Sequence, residues 1–318
     1  MDGIMRGKGR IAAGVLGGMA FALALPGLAA AKEAKVYDSP DAAAAGMVAA
    51  LEAGSRDAII DVLGDEHNDQ LFTDDEANER ENRKKALAAA KEKMSLRDDG
   101  DNTRTILIGS QEWPVPFPIV KGDRGWSFDT DAGIFELLAR RIGADELAAI
   151  GALNALVTAQ EDYQEIDRDG DAVLEYAQKL VSTPGKQDGL YWDTDPNSNA
   201  PASPLLSFVT AQGGYLEGRD EGDPLRGYNF RILTRQGEGA PGGRYDFVIN
   251  GNMIGGFGAI AWPSEYGVTG IMTFIVNQQG KVYEKDLGED TDLAAAALQS
   301  YDLDASWKLT KDKGETEE

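Results

Sequence analysis

The chain of 318 residues contains no cysteine and a single histidine, His67. Without cysteine there is no disulfide to staple the fold and no thiolate for nucleophilic or metal chemistry. One imidazole without a thiolate or a second histidine does not build an ordinary zinc site. His67 lies in the acidic stretch GDEHNDQ, which reads as solvated surface. A Ser-His-Asp site would have to use it, and no G-x-S-x-G elbow accompanies it. Basic residues are scarce as well: 31 Lys and Arg stand against 54 Asp and Glu, a net charge of −23. Nucleic acid and anionic lipid surfaces repel such a chain, so nucleic-acid binding is disfavoured and cations, basic partners or plain solubility are favoured. No G-x-x-x-x-G-K-[ST] occurs, and no G-x-G-x-x-G opens a helix. The glycines of INGNMIGGFG therefore read as a bulge or close backbone approach within a strand, not as a phosphate cradle.

What is present begins with a leader. MDGIMRGKGR is basic, IAAGVLGGMAFALALPGLAA is apolar, and small residues end it at Ala29 and Ala31. This is the layout of a secretory signal peptide over residues 1–31, cut before Lys32. The apolar run approaches the length of a membrane anchor, but its glycines, Pro26 and the A-x-A-like exit favour cleavage. Residues 1–31 carry three basic and one acidic residue, so the mature chain has 28 basic against 53 acidic, a net −25. An exported protein of the periplasm or cell envelope is expected, with no stable membrane span after cleavage.

Residues 32–145 read as an N-terminal α+β domain. Ser39 is placed to cap a helix with Pro40 at its first position, closed by Gly54. RDAIIDVLG is a second helix. A charged helix from about residue 75 to about 97 has mostly alanine for its apolar content, which predicts packing on a surface, not at a core centre. TRTILIGS and FPIVKGDRGWSFDT supply short strands, and a helix follows from 130 to 143.

Residues 146–308 read as a second α+β domain. In it a long amphipathic helix, with Leu147, Ile150, Leu153, Val157 and Tyr163 on one stripe, packs on an antiparallel meander. Between them come a short helix at VLEYAQKLVS, a long loop, and a helical piece near LLSFVTAQ. Residues 309–318 read as a solvated acidic tail. The fold class is α+β, helices and a small antiparallel sheet followed by a long helix on a meander.

The segments DRDGDAVLEYAQKLVSTPGKQDGLYW, APGGRYDFVINGNMIGGF and YGVTGIMTFIVNQQGKVYEKDLG resemble, in order, an exported bacterial family known as domain of unknown function 2950 (DUF2950). That resemblance implies location and fold, not an activity. More loosely, the N-terminal part, with VKGDRGWSFD as a hairpin, is similar to the cone-shaped domains of the nuclear-transport-factor-2-like (NTF2-like) superfold. LNALVTAQEDYQ followed by the meander resembles the C-terminal domains of pilins and pseudopilins. In those proteins the helix continues from a membrane-embedded prepilin segment, whereas here a whole domain precedes it, so filament assembly does not follow from the likeness.

Candidate chemistry centres on EIDRDGDAVLEYAQ. Counted from Asp167, carboxylates at Asp167, Asp169 and Asp171 match positions one, three and five of an EF-hand loop, and Glu175 falls at nine. Ala172 stands where glycine is expected and Gln178 where a bidentate glutamate is expected. Two readings stay open: a calcium site of Asp167, Asp169, Asp171 and Glu175, or a helix-loop-helix corner in which Asp171 caps the next helix. Tyr191, Trp192, Tyr215 and Trp262 suit either a ligand surface or the pinning of an irregular loop. The main functional expectation is a non-enzymatic binding protein whose partner is an envelope protein or a small molecule, with calcium as its one candidate cofactor. The alternative is a periplasmic hydrolase using paired carboxylates under the 183–192 loop.

Overall fold

A computed structural model describes residues 32–72, 76–194, 201–211 and 224–311. The expected signal peptide, Tyr215 and residues 312–318 of the expected tail lie outside the described residues. The chain is α+β. Its N-terminal part packs α1 (Pro40–Ala53), α2 (Arg56–Leu63), α3 (Asn68–Leu71) and α4 (Glu76–Glu92) against a sheet of β1 (Met94–Asp98), β2 (Thr103–Ile108), β3 (Trp113–Pro114), β4 (Ile119–Gly122) and β5 (Gly125–Phe128). The strands are antiparallel in the order β1-β2-β4-β5, with β3 on the same side of β2 as β4. Ser39 Oγ accepts from Ala42 N–H at 3.1 Å and Gly54 ends α1 in the left-handed conformation, as the sequence indicates. The charged helix is shorter than expected. MSLRD leaves it to become the edge strand β1, because Leu96 and Ser95 gain burial against β2 that a further helical turn would not give them.

The helices read separately at 130–143 and from 145 are one continuous α5 (Thr130–Tyr163) of 34 residues. Gly143 is accommodated mid-helix at a cost of about 1 kcal/mol relative to alanine. By length and composition α5 would be able to cross a membrane. Its N-terminal turns belong to the first core, where the Thr130 hydroxyl donates to Leu63 O at 2.6 Å. Its later turns lie on the second sheet.

After α6 (Leu206–Ala211), that second sheet is formed by β6 (Tyr228–Leu233), β11 (Gly258–Pro263), β12 (Met272–Asn277), β13 (Tyr283–Asp286) and β14 (Lys308–Leu309). Between β6 and β11 the chain makes two small ladders, β7 (Arg235–Gln236) with β8 (Tyr245–Asp246) and β9 (Val248–Ile249) with β10 (Asn252–Met253). The main sheet is antiparallel in the order β14-β13-β12-β11-β6.

Strand alternation buries both faces. Ala259, Ala261, Phe274 and Val276 turn toward α5, while Ile260 and Ile275 join Leu233, Tyr301 and Trp307 beneath a C-terminal strap. That strap contains α7 (Thr291–Ala297), which the sequence reading lacks. Arg231 fastens it by donating to Ala295 O and Leu298 O at 2.8 and 2.5 Å, at the carbonyl end of α7.

The stripe of α5 keeps Leu153 and Tyr163 of the expected one but is shifted elsewhere. Leu147 is exposed and Ile150 and Val157 only half-buried, whereas Ala149, Ala152, Leu153, Leu156, Ala159, Gln160 and Tyr163 are buried. Small side chains on α5 and on β11 let the helix approach the sheet closely, so the alanines define the contact. Glu146 anchors the crossing by accepting from Ile271 N–H and Met272 N–H, both at 3.0 Å.

Candidate functional site

Four places bear on function, and three of them were visible in the sequence. The acidic loop Asp167–Asp171 follows α5 directly. Asp167 folds it by accepting from Gly170 N–H and Ala172 N–H at 2.7 and 2.9 Å, and these bonds hold its carboxyl below the usual range. Ala172 adopts φ +68°, the left-handed conformation glycine would take without strain at this position. One oxygen from each of Asp167, Asp169 and Asp171 lies within 4.8 Å of the others, so the three converge as a divalent cation would require. Glu175 lies outside this group and accepts from Met253 N–H at 2.9 Å. Gln178 likewise turns away, donating to Gly251 O at 2.7 Å.

No helix follows the loop. Residues 173–180 are irregular, with bends at Gln178 and Leu180, against both the helix read at VLEYAQKLVS and the helix-loop-helix corner. Their backbone groups are engaged by other parts of the molecule: Tyr176 N–H donates to Met253 O at 2.9 Å. The buried Gln160 amide holds Ala177 from both sides, accepting from its N–H and donating to its C=O, each at 2.8 Å. These tertiary bonds override a pattern that is helical by local propensity.

Under the 183–192 loop lies a polar cleft of about 740 Å³ lined in part by Asp169, Glu175, Lys179 and Asp188. Tyr191 and Trp192 do not face it as a ligand surface would require. They are buried in the core beneath α5, so they pin the loop. Asp188 is paired with an ammonium: it accepts from Lys179 Nζ at 2.8 Å, from Thr183 N–H at 2.7 Å and from Thr183 Oγ1 at 2.9 Å. Burial pushes its carboxyl up, but the bonds from Lys179 and Thr183 outweigh burial and hold it at about 2.

A carboxyl with a depressed pKa stabilises the fold fully above its unfolded value of about 3.9, and that stability is lost as the pH falls toward about 2. Asp188 is about a third exposed, so after allowance for screening the effect is about 1–1.5 kcal/mol. Acid titration of Asp188→Asn, followed by circular dichroism, is expected to show a loss of stability between neutral pH and about pH 2 that is smaller than wild type by that amount. Identical acid profiles would show that the Asp188 bonds add nothing.

His67 is not solvated surface. Its side chain is only 20 % exposed, with Nε2 2.5 Å from Asp131 Oδ1 and Nδ1 2.8 Å from Gln70 Oε1. It ties α3 to the first turn of α5, and the Gln70 contact, followed by Asp131, raises its pKa.

The fourth place was not foreseen. Between α1, α2, α4 and β2 lies a cavity of about 490 Å³ with an overwhelmingly apolar lining. Its wall on α4 is Glu79, Asn82, Arg83, Ala86 and Ala90, at helical spacing, and the two alanines leave the volume that larger side chains would fill. Phe117, Ile106 and Met47 close it from other sides, and Met94, Trp113 and Leu137 line it while remaining 41, 63 and 36 % exposed. The polar end is a chain of charges in which Glu79 bonds Arg56 at 3.1 Å and Arg83 at 3.2 Å. The available signal was the alanine face of a strongly charged helix, which marks a wall set back from its neighbours as readily as a helix on a surface.

No curated protein and no solved structure matches the chain. A family model described as Protein of unknown function (DUF2950) matches residues 34–310. With nearly all of the described structure inside that match, the chain belongs to the DUF2950 family.

Proposed function

We propose that this is an exported, non-enzymatic binding protein of the cell envelope that holds a small apolar molecule in its N-terminal cavity. The carrying observation is the alanine-walled cavity of about 490 Å³, within the range of about 300–1,000 Å³ typical of small-molecule sites and similarly apolar. Export rests on the basic-apolar-small pattern of residues 1–31. In the polar cleft, where a hydrolase with paired carboxylates was the alternative, the bonding of Asp188 supports an anchor and not a proton donor, since a carboxyl held at about 2 stays ionised near neutral pH. The test is calorimetric titration of the purified protein, expressed with its own leader, with decan-1-ol. Saturable binding with a negative heat-capacity change is expected, and Ala86→Phe, which fills the cavity, is expected to abolish it. Absence of binding by wild type overturns the reading.

The convergence of Asp167, Asp169 and Asp171 favours adding a structural calcium to this role. Three carboxylates supply part of the six to eight oxygens calcium takes, with water and backbone carbonyls for the rest. A ligand that binds only the folded state raises Tm, so the protein is expected to melt higher in excess calcium than in chelator, and Asp169→Asn is expected to erase the difference. Equal melting of wild type in both media removes calcium from the account.

A further inference from the structure

We propose that His67 makes ligand retention pH-dependent: its protonated ring braces α3 against α5, two walls of the N-terminal cavity, so that the ligand is held more tightly in mildly acidic medium. This rests on the binding reading above and adds a control to it. α3 supplies Leu71 to the cavity, with Phe72 directly after it, and α5 supplies Leu137. α3 is a single turn in which no residue is fully buried, and His67 stands at its N-cap without making a side-chain capping bond. So short an element with so little buried surface belongs to the part of a fold that opens first. The His67 ring crosses instead to the first turn of α5, with Nε2 2.5 Å from Asp131 Oδ1.

Both ring nitrogens face oxygens, Nε2 that of Asp131 and Nδ1 that of Gln70 at 2.8 Å, and only the protonated ring has an N–H for each. A neutral ring keeps one N–H. Its bond to Asp131 loses the charge assistance that roughly doubles such a bond, and Gln70 has to turn its amide over to keep the other contact. The charged groups that act on the ring are Asp131 from α5 and Glu66 from the turn before α3, and both favour the protonated form, as does the Gln70 contact. A histidine whose pKa is raised by folding contributes stability fully below its unfolded value of about 6.5, and that contribution is lost as the pH rises through the folded value. Here the contribution falls on α3. As the brace slackens, Leu71 and Phe72 leave the cavity more often, and a ligand in contact with them is held less well. His67 is the single histidine of the chain, so no other imidazole titrates in that range.

The experiment is calorimetric titration of the purified protein with decan-1-ol, which has no charge to titrate, at about pH 5.5 and about pH 8. Wild type is expected to bind about two- to fivefold more tightly at the lower pH, the worth of one exposed charge pair. His67→Gln, neutral at both pH values, is expected to bind equally at each, and Asp131→Asn, at a side chain 83 % exposed, to lose most of the difference. Linkage supplies a second readout. Saturating decan-1-ol is expected to raise the pH midpoint of the single histidine ring signal in the proton NMR spectrum by the logarithm of the same factor. Equal wild-type affinity at the two pH values, or a midpoint that decan-1-ol leaves unmoved, overturns the control by His67 while the cavity reading stands. A pH preference that persists in His67→Gln overturns the role of His67. Failure of wild type to bind at either pH overturns the cavity reading itself. The wild-type midpoint decides the role of the ring even should His67→Gln not fold.

Discussion

Gln160→Leu is expected to destabilise the protein by about 3 kcal/mol. Gln160 is fully buried on α5, and its amide is spent on one residue, accepting from Ala177 N–H and donating to Ala177 C=O at 2.8 Å each. Leucine has a similar volume and suits the buried face that Gln160 shares with Leu156 and Tyr163, so packing changes little. What changes is Ala177, itself 1 % exposed, whose two backbone groups are left in the core with nothing to bond. Each such orphan costs about 1–3 kcal/mol, partly offset by the apolar transfer of leucine. In a chain of this size that is a fall in Tm of about 5 °C, at roughly 1.5–2 °C per kcal/mol. Equilibrium urea unfolding checks it, and a change within about 0.5 kcal/mol would mean that water or backbone movement replaces the amide. The loss is expected to extend to the acidic loop, because the irregular segment that Gln160 holds is what fixes the chain just beyond Asp171.

Much of the architecture was legible because it is written locally. Ser39 and Pro40 start α1, Gly122 and Gly125 flank a tight hairpin, and alternating apolar residues from Tyr228 to Asp286 write the meander. Where the reading departs from the structure, the deciding contacts are remote in sequence. VLEYAQKLVS has a helical pattern but forms no helix, since Met253 and Gln160 claim its backbone groups. A polar residue on the apolar stripe between Leu156 and Tyr163 was a usable sign that some backbone would need it. For the site, the convergence of Asp167, Asp169 and Asp171 follows from alternate spacing in a tight loop, so it was readable. Glu175 turns instead to a hairpin nearly eighty residues away, which no local spacing reveals. The cavity was hidden for a different reason: it is defined by the smallness of Ala86 and Ala90 relative to elements that meet them only in three dimensions.

Gly133→Ala sets helix propensity against packing, and packing is expected to win. In a helix interior alanine is preferred to glycine by about 1 kcal/mol, so propensity alone assigns a gain. Gly143, also in α5, has open space where a Cβ would go, and Gly143→Ala is expected to deliver that gain. Gly133 is buried against Phe117, and a Cβ there would lie 1.9 Å from Phe117 Cδ1 and 2.5 Å from Cε1, far inside van der Waals contact. The ring has to move, and overpacking of this kind costs about 1–3 kcal/mol, leaving a net loss of about 2 kcal/mol at the upper end. Phe117 also lines the N-terminal cavity, which is the empty space nearest to hand for a displaced ring. Gly133→Ala is therefore expected to weaken decan-1-ol binding several-fold as well as lower Tm, whereas Gly143→Ala raises Tm and leaves binding untouched. If both alanines stabilised the helix equally, α5 would have to sit farther from Phe117 than the structure places it. Loss of stability without loss of binding would mean that the ring finds room outside the cavity, and would separate the packing of α5 from the ligand site.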